Sequence, residues 1–278
     1  MATDRLRAFV VPLALCTLLG GCGKVQARVE FKQGNSLYKT ESYREAIKYY
    51  KRGLELDPGA TQVWRSVGLA AMAVYRPGDA SKANLAYAEE ALEAFEKFAQ
   101  AYPNDAKVQD YILTILMSSD RFDDALKRLR ARASTNPDDK LNNQSIISVL
   151  IRAGKLDEAF AFVKSLGARA DSIMHYTVGV AAWDKAYHDP MLTPEQRGPI
   201  VDAGIESLRQ SVALAPDSFD SLVYLNLILR EKAKLETDPE QQQVLIAEAI
   251  TYQDKAKVIA AARKAKNAAA VAAAAAGS

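Results

Sequence analysis

The sequence predicts an all-α fold, a solenoid of about six helix-turn-helix repeats, three of them with longer insertions between the paired helices. Three observations carry this. Small residues recur at Ala46, Ala91, Ala125, Ala159, Gly204 and Ala249, in steps of 45, 34, 34, 45 and 45 residues, the first five each four places ahead of an aromatic or apolar residue. A proline stands twelve residues after four of them: Pro58, Pro103, Pro137 and Pro216. The 278 residues are 49% apolar and 25% charged, an ordinary globular balance. A fixed period of 20–50 residues marks an array in which one helix pair cannot bury its apolar stripe alone and neighbours complete the core.

The chain opens with a short address. Arg5 and Arg7 precede a twelve-residue apolar run, AFVVPLALCTLL. A spanning helix needs about 20 apolar residues, so the run reads as a secretory signal, residues 1–21. Its ending, Leu19-Gly20-Gly21-Cys22, resembles the lipobox of bacterial lipoproteins. That resemblance implies cleavage before Cys22, acylation of Cys22 and attachment to a membrane, with two or more chains holding durably where one does not. Gly23 in place of an aspartate implies the periplasmic face of the outer membrane. Residues 22–26 are then the anchored cysteine and a short tether, reaching on the order of 15 Å if extended. The other cysteine, Cys16, leaves with the signal, which suits an oxidising compartment.

Six copies follow, at residues 27–60, 61–105, 106–139, 140–171, 172–218 and 219–262. The first reads Gly34-Asn35-x-x-Tyr38, then Tyr43-Arg44-Glu45-Ala46-Ile47-x-x-Tyr50, then Leu54-Glu55-Leu56-Asp57-Pro58. The third carries Leu113, Arg121 to Leu126 and Asn136-Pro137; the fourth, Ile147 and Lys155 to Phe160. The second carries Trp64 and Gly68, and the fifth Gly179. This pattern resembles the tetratricopeptide repeat family over roughly residues 27–262, which implies a right-handed superhelix. Gly34, Gly68 and Gly179 on first helices, with Ala46, Ala91, Ala125, Ala159, Gly204 and Ala249 on second helices, are the packing positions where backbones approach. Proline punctuates the links because it cannot continue a helix interior.

The 45-residue steps put eleven extra residues between the helices of copies two, five and six. They include Arg76-Pro77-Gly78-Asp79, a turn signal, and Thr193-Pro194-Glu195-Gln196, a helix start with capping-box chemistry. Longer helices or ordered loops are expected there. The tail, residues 263–278, is alanine-rich and extends the last helix.

Little in the sequence supports catalysis. Phosphate-loop, zinc-protease, calcium-loop and serine-elbow motifs are absent. The two histidines, His175 and His188, are thirteen residues apart, and no metal or cofactor is expected. A net charge of +2 gives no reason to expect nucleic acid. The carboxylates Asp123-Asp124 and Asp157-Glu158 open second helices, where they suit the positive end of the helix dipole.

The resemblance implies a concave groove lined by first helices. Its positions carry over to Arg28, Asn35, Arg65 and Lys107 near the N-terminus, and to Gln144, Ile173, Tyr176, Val180, Trp183, Val223 and Leu227 further on. The former are polar and basic, the latter apolar and aromatic, which fits a peptide or amphipathic helix. Asn35 and Lys107 match two of the five positions by which some family members grip a chaperone's terminal carboxylate. Phe31, Ser66 and Tyr111 fill the other three without the required polar group. The expected function is a non-enzymatic, membrane-anchored scaffold for protein–protein interaction in the cell envelope. The chain also resembles the repeat lipoproteins that pilot secretins of type IV pili and those of outer-membrane assembly machines. A further alternative is small-ligand or glycan binding with Trp183 and Tyr176 as stacking platforms.

Overall fold

The computed structural model describes the backbone of residues 12–276 and the side chains of residues 23–270. Residues 1–11 of the expected signal lie outside the described residues, as do the side chains of 12–22, including that of Cys22. The described residues form twelve α-helices and one 3₁₀ turn, with no strand among them. The chain divides into two compact units, Met1–Arg121 and Phe122–Ser278. That boundary falls inside the third expected copy, residues 106–139, so its two helices belong to different units.

In the first unit α1 (Pro12–Lys39) packs on α2 (Tyr43–Leu56), α2 on α3 (Val63–Val74), α3 on α4 (Lys82–Ala101) and α4 on α5 (Ala106–Ser118). Ala46 and Ala91 are fully buried. The sequence reading assigned Gly34 and Gly68 to close contact between backbones, and the structure corrects this. A Cβ on Gly34 would lie 2.7 Å from the Tyr50 ring, one on Gly68 2.6 Å from the Phe95 ring, and one on Gly53 2.2 Å from the Phe31 ring. Each glycine is a notch filled by an aromatic side chain. An aromatic ring seated in such a notch buries a large apolar area.

The second unit runs through α6 (Phe122–Thr135), α7 (Lys140–Arg152), α8 (Leu156–Leu166), α9 (Ser172–His188), α10 (Pro194–Leu214), α11 (Phe219–Leu235) and α12 (Pro239–Ala276). Ala125, Ala159 and Ala249 are fully buried. Here the notches take aliphatic groups. A Cβ on Gly179 would come 2.5 Å from Leu208 Cγ, and one on Gly204 2.4 Å from Ile228 Cδ1 and 2.7 Å from Ala182 Cβ. Leu208, Leu225, Ile228 and Leu229, all fully buried, make the core of α9 to α11.

Copies one, three and four share a turn between their helices. Glu41, Asp120 and Gly154 have φ of 59°, 57° and 73°. The following amides reach back five residues: Ser42 N to Leu37 O at 2.9 Å, Arg121 N to Leu116 O at 2.8 Å, and Lys155 N to Leu150 O at 2.8 Å. This is the Schellman closure of a helix end on a left-handed residue. Only Gly154 advertises it in the sequence.

The extra residues of copies two, five and six become helix. The α4, α10 and α12 helices have 20, 21 and 38 residues, against 14 in α6 and 11 in α8. The connecting loops are short and tied. Buried Asn84 latches the loop of copy two, donating to Arg76 O and Asp79 O and accepting from Arg76 N. Thr193 and Gln196 close a capping box at the start of α10, with Gln196 N donating to Thr193 Oγ1 at 3.4 Å and Thr193 N to Gln196 Oε1 at 3.1 Å.

The N-terminal tether also differs from expectation. Residues 23–26 are part of α1. At about 1.5 Å per residue, this stretch advances on the order of 6 Å and cannot swing as an extended chain would. A Cβ on Gly23 would sit 3.3 Å from Leu56 O, so α1 at Gly23 lies close against the end of α2.

Candidate functional site

None of the eleven groove candidates belongs to the buried core. Arg28, Asn35, Lys107 and Ile173 are exposed; Arg65, Gln144, Tyr176, Val180, Trp183, Val223 and Leu227 are half-buried. The first four polar positions, Arg28, Asn35, Arg65 and Lys107, lie in the first unit. Asn35 Oδ1 accepts a 2.9 Å hydrogen bond from the Tyr50 hydroxyl, so its carbonyl is already engaged in holding the Gly34 notch closed.

The remaining seven lie in the second unit on α7, α9 and α11, and α9 packs against both of the others. The three helix starts are fixed by side-chain caps. Asp139 accepts from Asn142 N, Asp171 from Met174 N, and Ser218 from Ser221 N. A chain of buried serines joins them further: Ser211 Oγ donates to Ser172 O at 2.8 Å and is 2.9 Å from Ser221 Oγ. Capped starts leave little freedom in helix register, and register decides which residues face outward.

On α9, Ile173, Tyr176, Val180, Trp183 and Tyr187 follow one another at spacings of three and four, one stripe of a helix. Trp183 stacks on Tyr187 with centroids 5.2 Å apart and an interplanar angle of 13°. Tyr224 of α11 meets the edge of Trp183 at 5.2 Å and of Tyr176 at 5.8 Å. His188 lies edge-on to both Trp183 and Tyr187. Lys234 Nζ sits 5.6 Å from the Tyr187 centroid. Tyr176, Trp183 and Tyr224 rest on the aliphatic core beneath. Burial pushes the Tyr176 hydroxyl above its ordinary value, helped by Tyr224 and Asp220, so it stays a neutral donor. The result is a rigid aromatic patch with aliphatic neighbours Ile173, Val180, Val223 and Leu227.

Sequence reasoning missed Tyr187 and Tyr224. Both left a signal. Tyr187 continues the α9 stripe, and Tyr224 stands 45 residues after Gly179, where the repeat would place a notch glycine. A tyrosine cannot enter such a notch, and it turns against the Trp183 edge. The idea of Trp183 as an open platform is corrected, since its ring packs face-to-face on Tyr187 and edge-on to Tyr224 and His188.

His175 is half-buried on α9, with Nδ1 buried and without a partner. Burial lowers its pKa, opposed by Asp171 and Glu206. Exposed His188 pairs through Nδ1 with Asp184 Oδ1 at 3.0 Å. A cleft of about 440 Å³ at the start of α8 is lined by Lys155, Asp157, Glu158, Lys185 and Gln196. Its Lys155 is bound to Asp123 at 2.7 Å. Among the described residues no group of three or more His, Cys, Asp or Glu is placed to hold a metal ion, and no helix is long and apolar enough to cross a membrane.

Paired helices stacked in series within each unit define an all-helical repeat fold. Residues 27–60 match the family model of the tetratricopeptide repeat. The chain is similar to several solved structures, three of which follow. YrrB, described as "a TPR protein with an unusual peptide-binding site", is 19% identical with a TM-score of 0.39, over 69% of this chain and 88% of that one. MamA from Desulfovibrio magneticus RS-1 is 15% identical with a TM-score of 0.31, over 85% and 96%. Yeast Tom70 is 14% identical with a TM-score of 0.35, over 89% and 62%. Comparison with curated proteins gives no match.

Proposed function

We propose that this protein is a non-enzymatic repeat scaffold, lipid-anchored through Cys22 in the bacterial cell envelope, that holds a protein partner on the aromatic face of its second unit. The observation that carries the reading is the stripe Tyr176–Val180–Trp183–Tyr187 with Tyr224 beside it. Tyrosine and tryptophan dominate protein-binding hot spots because they desolvate large area at small entropic cost. Flanking Ile173, Val223 and Leu227 offer aliphatic contact for an amphipathic helix whose anchors recur every third or fourth residue. A glycan would need an open ring face, and Trp183 already packs against three neighbouring rings. The anchor and the placement at the periplasmic face of the outer membrane rest on Leu19 to Gly23 of the sequence. Piloting a secretin or assembling an outer-membrane complex is work that such an anchored scaffold would suit.

The test is site-specific photo-crosslinking in the native cell. A photoreactive residue at Val180 or Leu227 should capture one and the same protein, and one at exposed Arg209 on α10 should not. Trp183→Ala with Tyr224→Ala should abolish capture while the protein keeps its helical content. Equal capture from all three positions, or capture that survives the double substitution, overturns the assignment. Mass spectrometry of the mature N-terminus checks the anchor separately, the expected product being an acylated Cys22.

A further inference from the structure

We infer that α1 is itself a membrane-contacting helix, whose outer face lies on an anionic phospholipid surface. The inference rests on the anchoring of Cys22 and extends it. Val25 and Val29 are each 63% exposed. They stand three and seven positions after Cys22, so by helical register the acylated position and both valines fall on one line. Lys24, Arg28 and Lys32 follow at spacings of four along the neighbouring line, and all three are exposed. The three span about 12 Å of helix axis.

Among the described residues Lys24, Arg28 and Lys32 have no carboxylate partner. The acid of this stretch, Glu30, is half-buried and falls on another side of the helix by register. Several cations elsewhere do pair: Arg130 with Glu158, Arg209 with Glu248, Lys232 with Asp202 and Lys155 with Asp123. An apolar line flanked by free cations is the pattern of a helix lying in the headgroup plane, with valines reaching the acyl boundary and ammonium groups meeting phosphates. The helical conformation of residues 23–26 matters here. It holds Val25 one turn from the anchor, so a cysteine fixed in the bilayer brings the rest of the face to the surface with it. On this reading Arg28 belongs to the membrane face and not to a partner groove.

The experiment uses the mature chain extracted from the exporting cell and reconstituted with two vesicle populations, one of phosphatidylcholine alone and one with 30% phosphatidylglycerol. Partition to the anionic vesicles should exceed partition to the neutral ones by on the order of 100-fold at low salt, given three cations near the surface. The excess should collapse at 0.5 M salt. The Lys24→Gln/Arg28→Gln/Lys32→Gln chain should lose that excess while still binding neutral vesicles through its acyl chains. Glutamine has nearly the helix propensity of lysine, so α1 should stay intact by circular dichroism. An equal preference in the substituted chain overturns the inference, as does equal binding of the wild type to both populations. So does a change in oligomeric state on substitution without a change in partition, which would give the face to a second copy. If neutral-vesicle binding is absent and Cys22 carries no lipid, the anchor reading fails; an anionic excess that persists there and disappears in the triple substitution still upholds the α1 face.

Discussion

The two units use the same notch and fill it differently. In the first, Gly34, Gly53 and Gly68 receive the rings of Tyr50, Phe31 and Phe95, and the buried aromatics Tyr50, Tyr75, Phe95 and Phe98 all lie there. In the second, Gly179 and Gly204 receive Leu208 and Ile228, and every described aromatic is at least partly exposed. The lesson concerns where a repeat protein places its rings. Rings packed into notches stabilise the helix stack of the first unit. Rings kept out of the core, over aliphatic packing, remain available to a partner. One glycine-to-tyrosine change in the repeat register, Gly179 to Tyr224, is enough to turn an aromatic from core filler into part of a surface.

The strongest challenge to this contrast is Phe95→Ala. It should cost about 3–5 kcal/mol of unfolding free energy, because a fully buried ring leaves a cavity opposite Gly68. Denaturant titration measures it, and a loss below about 1 kcal/mol would deny the ring its role. Next is Trp183→Ala, predicted to weaken partner binding by about 2 kcal/mol or more, roughly thirtyfold. Tyr87→Ala in the first unit should leave binding unchanged in the same titration. Gly68→Ala and Gly179→Ala should each destabilise by about 1–3 kcal/mol, since both added methyls meet filled space. Similar costs in thermal melts would establish the notch as one device in two units, whereas a neutral Gly179→Ala would restrict it to the aromatic one.

Two smaller effects sharpen the picture. Glu41→Gly relieves a left-handed residue and should stabilise the first unit by about 0.5–1 kcal/mol, with Gly154→Ala destabilising the second in the opposite sense. His175 supplies the pH term. Its folded pKa is lowered by burial, so the unfolded chain binds the proton more readily. Its neutral form therefore supports the fold fully above about pH 6.5, and stability declines as pH falls below that value. His175→Gln should remove this part of the decline, visible as melting curves for wild type and variant that diverge only below about pH 6.5.

Much of this was legible in the chain. The positions Ala46, Ala91, Ala125, Ala159, Gly204 and Ala249 count the helix pairs because local spacing sets helix phase, and phase needs no partner to be read. The capping box of Thr193 and Gln196 was legible for the same reason. The turns at Glu41 and Asp120 were not, since acidic residues in left-handed conformation look like any exposed acid until the Schellman bonds are seen. Nor was the helical state of residues 23–26, which lie within α1.

The sequence by itself determined the spacing of the helix pairs, because that follows from the 3.6-residue period and short-range capping, but left open whether the inserted residues became helix or loop. Only the tertiary structure decided that rings fill glycine notches in one unit and leucine and isoleucine in the other, that Tyr224 closes the aromatic patch, and that residues 23–26 are helical. Those outcomes turn on which side chains meet across neighbouring helices, and dense packing selects them by volume and shape, which spacing along a chain does not encode.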